Sequence, residues 1–103
     1  MSRRIGGSKI ILNANAADVT QANATWYNMA QADQVVFDIA ITGTADCTFD
    51  FDFHGDNNAT SSQSFNSSDQ WVLDDPAKQV RCYSNNTGGG EAIVVKMQEI
   101  YRY

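Results

Sequence analysis

The sequence is poor in the residues on which most chemistry is built: it has one histidine, two cysteines, one proline and only seven lysines and arginines. With no Gly-x-Ser-x-Gly or comparable nucleophile motif beside it, the single histidine, His54, completes no recognisable triad and reads as a surface residue at a strand end. Two cysteines and one histidine fall short of the four ligands of a structural zinc site, and their spacing matches no zinc pattern. Cys47 and Cys82 read as buried thiols that behave as small hydrophobes, with a bridge between facing strands as the other option. The glycine run Gly88-Gly89-Gly90 lies between two strand-like stretches, so no helix N-terminus follows it to hold a phosphate. No cofactor and no catalytic residue is expected, and the chain reads as a non-enzyme.

Scarcity of basic residues narrows the partners. The formal net charge is -5 and the isoelectric point about 4.4. A surface for nucleic-acid phosphates needs clustered Lys and Arg, which excludes nucleic acid as a partner. The one basic cluster is Arg3 with Arg4, followed by Ile5. No apolar run approaches the roughly 18 residues of a membrane span, and none stands behind the two arginines as a secretory signal requires. Synthesis in a cytosol and no membrane contact are therefore expected.

What is present is alternation. At 103 residues, with 43% hydrophobic and 18% charged residues, the chain fits a single globular domain. Residues 1–8 read as a flexible N-terminal arm and 9–103 as the folded domain, with a first strand over 9–13. Residues 14–24 are open between helix and a loop leading into a strand over 26–29. Across 34–42, Val35, Phe37, Ile39 and Ile41 fall on one face and Gln34, Asp38 and Thr42 on the other. Turn residues follow, and then Cys47, Phe49, Phe51 and Phe53 alternate against Thr48, Asp50, Asp52 and His54, which predicts a hairpin with one wet face. Residues 55–68 are polar and aperiodic and read as a long surface loop suited to contact. Strands are predicted over 70–73, 78–84 and 91–101, the first stopped by Asp74-Asp75-Pro76 and the last two joined by a turn rich in Asn and Gly. Seven to eight short strands without a convincing helix predict an all-β, antiparallel β-sandwich, jelly-roll-like.

Two groups of residues stand out as candidate sites. Asp46, Asp50, Asp52, His54 and Asp56 differ by twos and share one strand face. Asp50, Asp52, His54 and Asp56 in particular offer oxygen and nitrogen ligands to a hard cation if a loop closes over them, while the plainer reading is the solvent face of a half-exposed sheet. Trp26 and Trp71 read as core residues, whereas Tyr83, Tyr101 and Tyr103 read as outward or terminal. Together with Arg3, Arg4 and Ile5 these tyrosines are the candidate interface. Exposed aromatics also suit stacking on sugar rings, which keeps a carbohydrate- or receptor-binding module as the alternative.

The stretch Ile10-Ile11-Leu12-Asn13-Ala14-Asn15-Ala16, the strand Val35 to Thr42, Trp71-Val72-Leu73-Asp74-Asp75-Pro76 and Val80-Arg81-Cys82-Tyr83 together resemble small virion proteins of tailed bacteriophages. The resemblance covers most of the chain as pattern and strand spacing. It implies a capsid decoration or cement protein that stabilises the shell, located in the virion. The implied partners are the major capsid protein or other virion proteins and sister copies in a homo-oligomer, with a trimer favoured. It carries over no individual binding residue.

Overall fold

The computed structural model describes residues 3–102 apart from 16, 30, 31, 75, 77, 88 and 89, and of residues 3–6 and 102 it describes the backbone alone. Eight strands form: β1 (Arg3–Asn15), β2 (Tyr27–Asn28), β3 (Gln34–Thr42), β4 (Asp46–Asp52), β5 (Ser61–Phe65), β6 (Asp69–Leu73), β7 (Gln79–Asn85) and β8 (Ala92–Arg102). The only helical element among the described residues is a 3-10 turn, Gln21–Asn23. Two four-stranded antiparallel sheets result, in the orders β1-β8-β3-β6 and β2-β7-β4-β5. The pairs β1·β8, β2·β7, β3·β6 and β4·β5 are nested, each adding to nine. That nesting is the strand arrangement of a jelly roll, in which a long hairpin ribbon is rolled into two facing sheets.

The alternation read from the sequence sets the two inner faces. Val35, Phe37 and Ile39 of β3, Cys47, Phe49 and Phe51 of β4, Val80 and Cys82 of β7, and Ile93, Val95 and Met97 of β8 are all buried. Register carries these residues into rows, since Phe37 pairs with Met97 on one side and Trp71 on the other, while Phe49 pairs with Cys82. Trp71 is the hub of the aromatic packing. Its ring lies 5.5 Å from Phe37 and from Phe49, 5.6 Å from Phe51 and 5.3 Å from Phe65. Such ring pairs contribute roughly 0.5–1.5 kcal/mol each beyond their area burial. Both cysteines are free and buried. Burial and the neighbouring Cys47 thiol push the Cys82 thiol far above its ordinary range, so it stays protonated and unreactive.

Several sequence expectations move. β1 starts at Arg3, inside the segment expected as an arm, and its backbone pairs Arg3 with Arg102, Arg4 with Tyr101 and Ile5 with Ile100. The register shifts between Ile5 and Ser8, across Gly6-Gly7, and again between Ile10 and Leu12. Each shift is an extra residue of β1 that locally breaks the period of two. The second one lets the successive residues Ile11 and Leu12 both be buried while Ile10 stays 51% exposed. Residues 55–68 also differ from the expected loop, because β5 runs through them and pairs Phe65 with Cys47, Gln63 with Phe49 and Ser61 with Phe51. Ser-Ser-Gln-Ser-Phe has no apolar period because β5 is an edge strand whose first four residues are exposed on both faces. Phe53, expected inside, lies beyond the end of β4 and is 49% exposed.

Candidate functional site

The expected wet face of β4 is sealed. Asp50 and Asp52 point away from the core, yet they are only 1% and 0% exposed. The Asp50 carboxylate accepts hydrogen bonds from Gln21 Nε2 at 2.9 Å, Ser62 Oγ at 2.7 Å, Arg81 Nε at 2.9 Å and Tyr83 Oη at 3.3 Å. One carboxylate thereby ties the 3-10 turn, β5 and β7 to β4. Asp52 accepts from the backbone N–H groups of His54, Gly55 and Asn57 at 2.8, 2.9 and 2.8 Å and from Gln79 Nε2 at 3.1 Å. These bonds curl the chain after β4, where Gly55 and Asn57 adopt positive φ. Gly55 suits such a bend because it carries no Cβ. Burial acts to raise both carboxyl pKa values, but the donors outweigh it: Gln21, Ser62 and Arg81 at Asp50, and His54, Asn57 and Gly55 at Asp52, hold both below the usual carboxylate range.

The row Asp50, Asp52, His54 and Asp56 therefore does not converge on a cation. Two of its carboxylates are committed to internal donors, and His54 and Asp56 are exposed in the turn beyond the strand. Among the described residues no three His, Cys, Asp or Glu side chains form a metal-holding group. Trp26 is not in the core either. Its ring lies 4.6 Å from the Arg81 guanidinium and roofs the Asp50–Arg81 ion pair. Sequence alternation placed Asp50 and Asp52 on the correct face, but Gln21, Ser62, Gln79 and Arg81, which bond to them, and Trp26, which covers the ion pair, stand too far along the chain for periodicity to detect.

The candidate interface residues divide between the two sheets. Arg3, Arg4 and Ile5 are brought by backbone register beside Tyr101 at one end of the β1·β8 pair, where Arg102 also lies. Tyr101 Oη donates to Glu99 Oε2 at 2.6 Å. Tyr83 sits on β7 of the other sheet with its hydroxyl on Asp50, and burial together with that carboxylate raises its pKa. Tyr103 lies outside the described residues. Among the described residues every Trp and Tyr is half-buried, and the large apolar side chains that stand exposed are Ile10, Phe53 and Val72.

Two open features remain. The outer face of the β1-β8-β3-β6 sheet has no covering segment among the described residues: Ile10, Asp38, Ala40, Gln70, Val72 and Lys96 are all exposed on it. Its rows run Ile10, Lys96, Asp38, Gln70 and then Gln98, Val36, Val72 across the strands. At the other side of the sandwich, between β5 and β6, a cavity of about 160 Å³ opens, floored by Phe51, Phe53, Trp71 and Leu73 and lipped by Ser61 and Gln63. Comparison with known protein families, with curated proteins and with solved structures finds no match.

Proposed function

We propose that this chain is a non-enzymatic virion structural protein, a capsid decoration or cement protein that lies on the outer capsid surface and stabilises the shell. The observation that carries the reading is the contrast between the two outer faces. The chain roofs β4 and β7 of one sheet with its own segments, whereas among the described residues nothing covers the other, β1-β8-β3-β6, which exposes Ile10 and Val72 with one Lys and one Asp between them. A weakly charged sheet face with scattered apolar residues suits a protein interface, whose centre is depleted of charge. Jelly rolls also serve as viral capsid and lectin domains, a support by fold analogy alone. Between assembly and glycan binding, the half-buried state of the described Trp and Tyr side chains favours assembly, because a sugar platform needs an open ring face. On this reading the partners are the major capsid protein, other virion proteins and sister copies arranged as a homo-oligomer, a trimer by preference.

The test is electron microscopy of particles that carry the chain, with sedimentation of the free protein beside it. The expected result is density on the outer shell with the β1-β8-β3-β6 face against a neighbour, and loss of particle association in Val72→Lys without loss of fold. A chain that is absent from particle fractions and monomeric at every concentration would overturn the reading.

A further inference from the structure

The four edge strands of the sandwich are not equally defended. Exposed backbone N–H and C=O groups invite another strand, and proteins blunt them with charge, proline, bulges or shortness. β1 carries Lys9 and two register shifts, and β2 has only two residues. β6 begins at Asp69 and is followed by Asp74 and Pro76. β5 is different: Ser61-Ser62-Gln63-Ser64-Phe65 has no charge, no proline and an unbroken register with β4.

The undefended edge borders the cavity. Ser61 and Gln63 pair with Phe51 and Phe49, so they occupy inward positions where an apolar side chain would complete the core. The cavity exists because small and polar side chains stand there. Its volume of about 160 Å³ is close to the ~150 Å³ apolar cavity known to hold benzene. A strand added along β5 would aim alternate side chains into this inter-sheet gap.

Charge then selects the occupant. The sequence has no Lys or Arg between Lys9 and Lys78, while ten of its twelve acids fall in that interval. Lys9 pairs with Glu99 and Arg81 with Asp50, while Asp69, where β6 begins, and Asp74, just past its end, have no cation within salt-bridge distance among the described residues. We propose that the free edge of β5 accepts an extended segment of a partner protein as a fifth strand. That segment places one aromatic side chain in the cavity and carries Lys or Arg on either side of it. This mode of recognition takes affinity from main-chain bonds and specificity from the side-chain pocket. The site does not rest on the capsid reading, since it lies at the opposite edge of the sandwich from β1 and needs no contact through the open sheet face.

The experiment titrates the full isotope-labelled chain with short capped peptides of alternating Thr and Val. Their central residue is Tyr or Ala, their ends are Lys or Glu, and p-cresol serves as the free side chain. The Lys-ended Tyr peptide is expected to shift the amides of residues 61–65 and slow their hydrogen exchange, with binding that weakens as salt rises. Replacing its Tyr by Ala, or its Lys by Glu, should weaken binding roughly tenfold or more. Gln63→Phe fills the cavity mouth and should weaken binding by a similar factor. Phe53→Ala, at a position outside the packed core, should do the same by removing one wall, and keeps the test open if the first variant misfolds. The proposal is overturned if no peptide protects residues 61–65, or if the Ala peptide binds as well as the Tyr peptide. It also fails if p-cresol alone reproduces the shifts at equal affinity, which would make the cavity a small-molecule site. Concentration-dependent protection of residues 61–65 without peptide would overturn it in favour of a second copy.

Discussion

The two sheets of this sandwich are built alike on the inside and oppositely on the outside. Both inner faces follow the period of two, with β-branched and aromatic residues packed around Trp71. Outside, β4 and β7 carry a hub in which the Asp50–Arg81 ion pair and the Tyr83 hydroxyl meet under Gln21 and Trp26. The outer residues of β3 and β8, such as Asp38, Ala40 and Lys96, face solvent, and Gln70 Nε2 donates across the strands to Asp38 Oδ1 at 3.0 Å. The same alternation thus carries a closed polar cluster over β4 and β7 and an uncovered face on β3 and β8. The difference lies in where the connections go, since the segments after β1 and after β4 both return over the second sheet.

That contrast can be broken by removing the hub. Asp50→Ala should lower stability by roughly 3–5 kcal/mol, because it strands the Arg81 guanidinium beneath Trp26 with no carboxylate; urea unfolding monitored by far-ultraviolet circular dichroism measures it. Acid should act through the same groups. Asp50 and Asp52 have folded pKa values below their unfolded ones, so their contribution is full above the ordinary Asp value of about 3.9 and is lost as pH falls through the depressed folded values. An Asp50→Asn variant should therefore show a flatter acid limb in unfolding free energy against pH than the unaltered chain.

Smaller effects sharpen the comparison. Trp26→Ala removes the roof but keeps the ion pair, and should cost roughly 0.5–2 kcal/mol with a larger loss in low salt than in high salt. On the bare face, Val72→Thr should change the unfolding free energy of the isolated chain by no more than about 0.5 kcal/mol. A bare-face substitution that destabilised the isolated chain as strongly as Asp50→Ala would show that the two faces are equivalent in energy, and the contrast would collapse.

The inner faces were legible because alternation is a local signal: Val35, Phe37, Ile39, Cys47, Phe49 and Phe51 are all buried as their spacing requires. Alternation also broke down for physical reasons that can be located. A bulge put Ile11 and Leu12 on the same side, and the end of β4 at Asp52 left Phe53 outside the sandwich. β5 was read as loop because an edge strand with a polar inner row has no apolar period to detect. Asp50 and Asp52 share a face, as their spacing implied, while His54 and Asp56 fall beyond the end of β4, and the burial of the two carboxylates depends on residues 21, 62, 79 and 81, which no local pattern reveals. The cavity was invisible for a related cause, since it is made by the absence of large side chains at Ser61 and Gln63. The start of β1 was not legible in the first eight residues, because the pairing of residues 3–5 with 100–102 is set by register and not by composition.

The nesting of the strand pairs also fixes an order of events in time. β4 and β5 follow one another and can pair as soon as both exist, whereas among the described residues β1 pairs with β8, which is complete only when residues 92–102 have been made. Pairings so distant along the chain close slowly, on the millisecond-to-second scale typical of β-sandwiches. Within this domain β1 is made before the other strands and waits longest for its partner, with Ile10, Ile11 and Leu12 in a row. Of the eight strands, β1 is therefore the one most in need of protection from premature association.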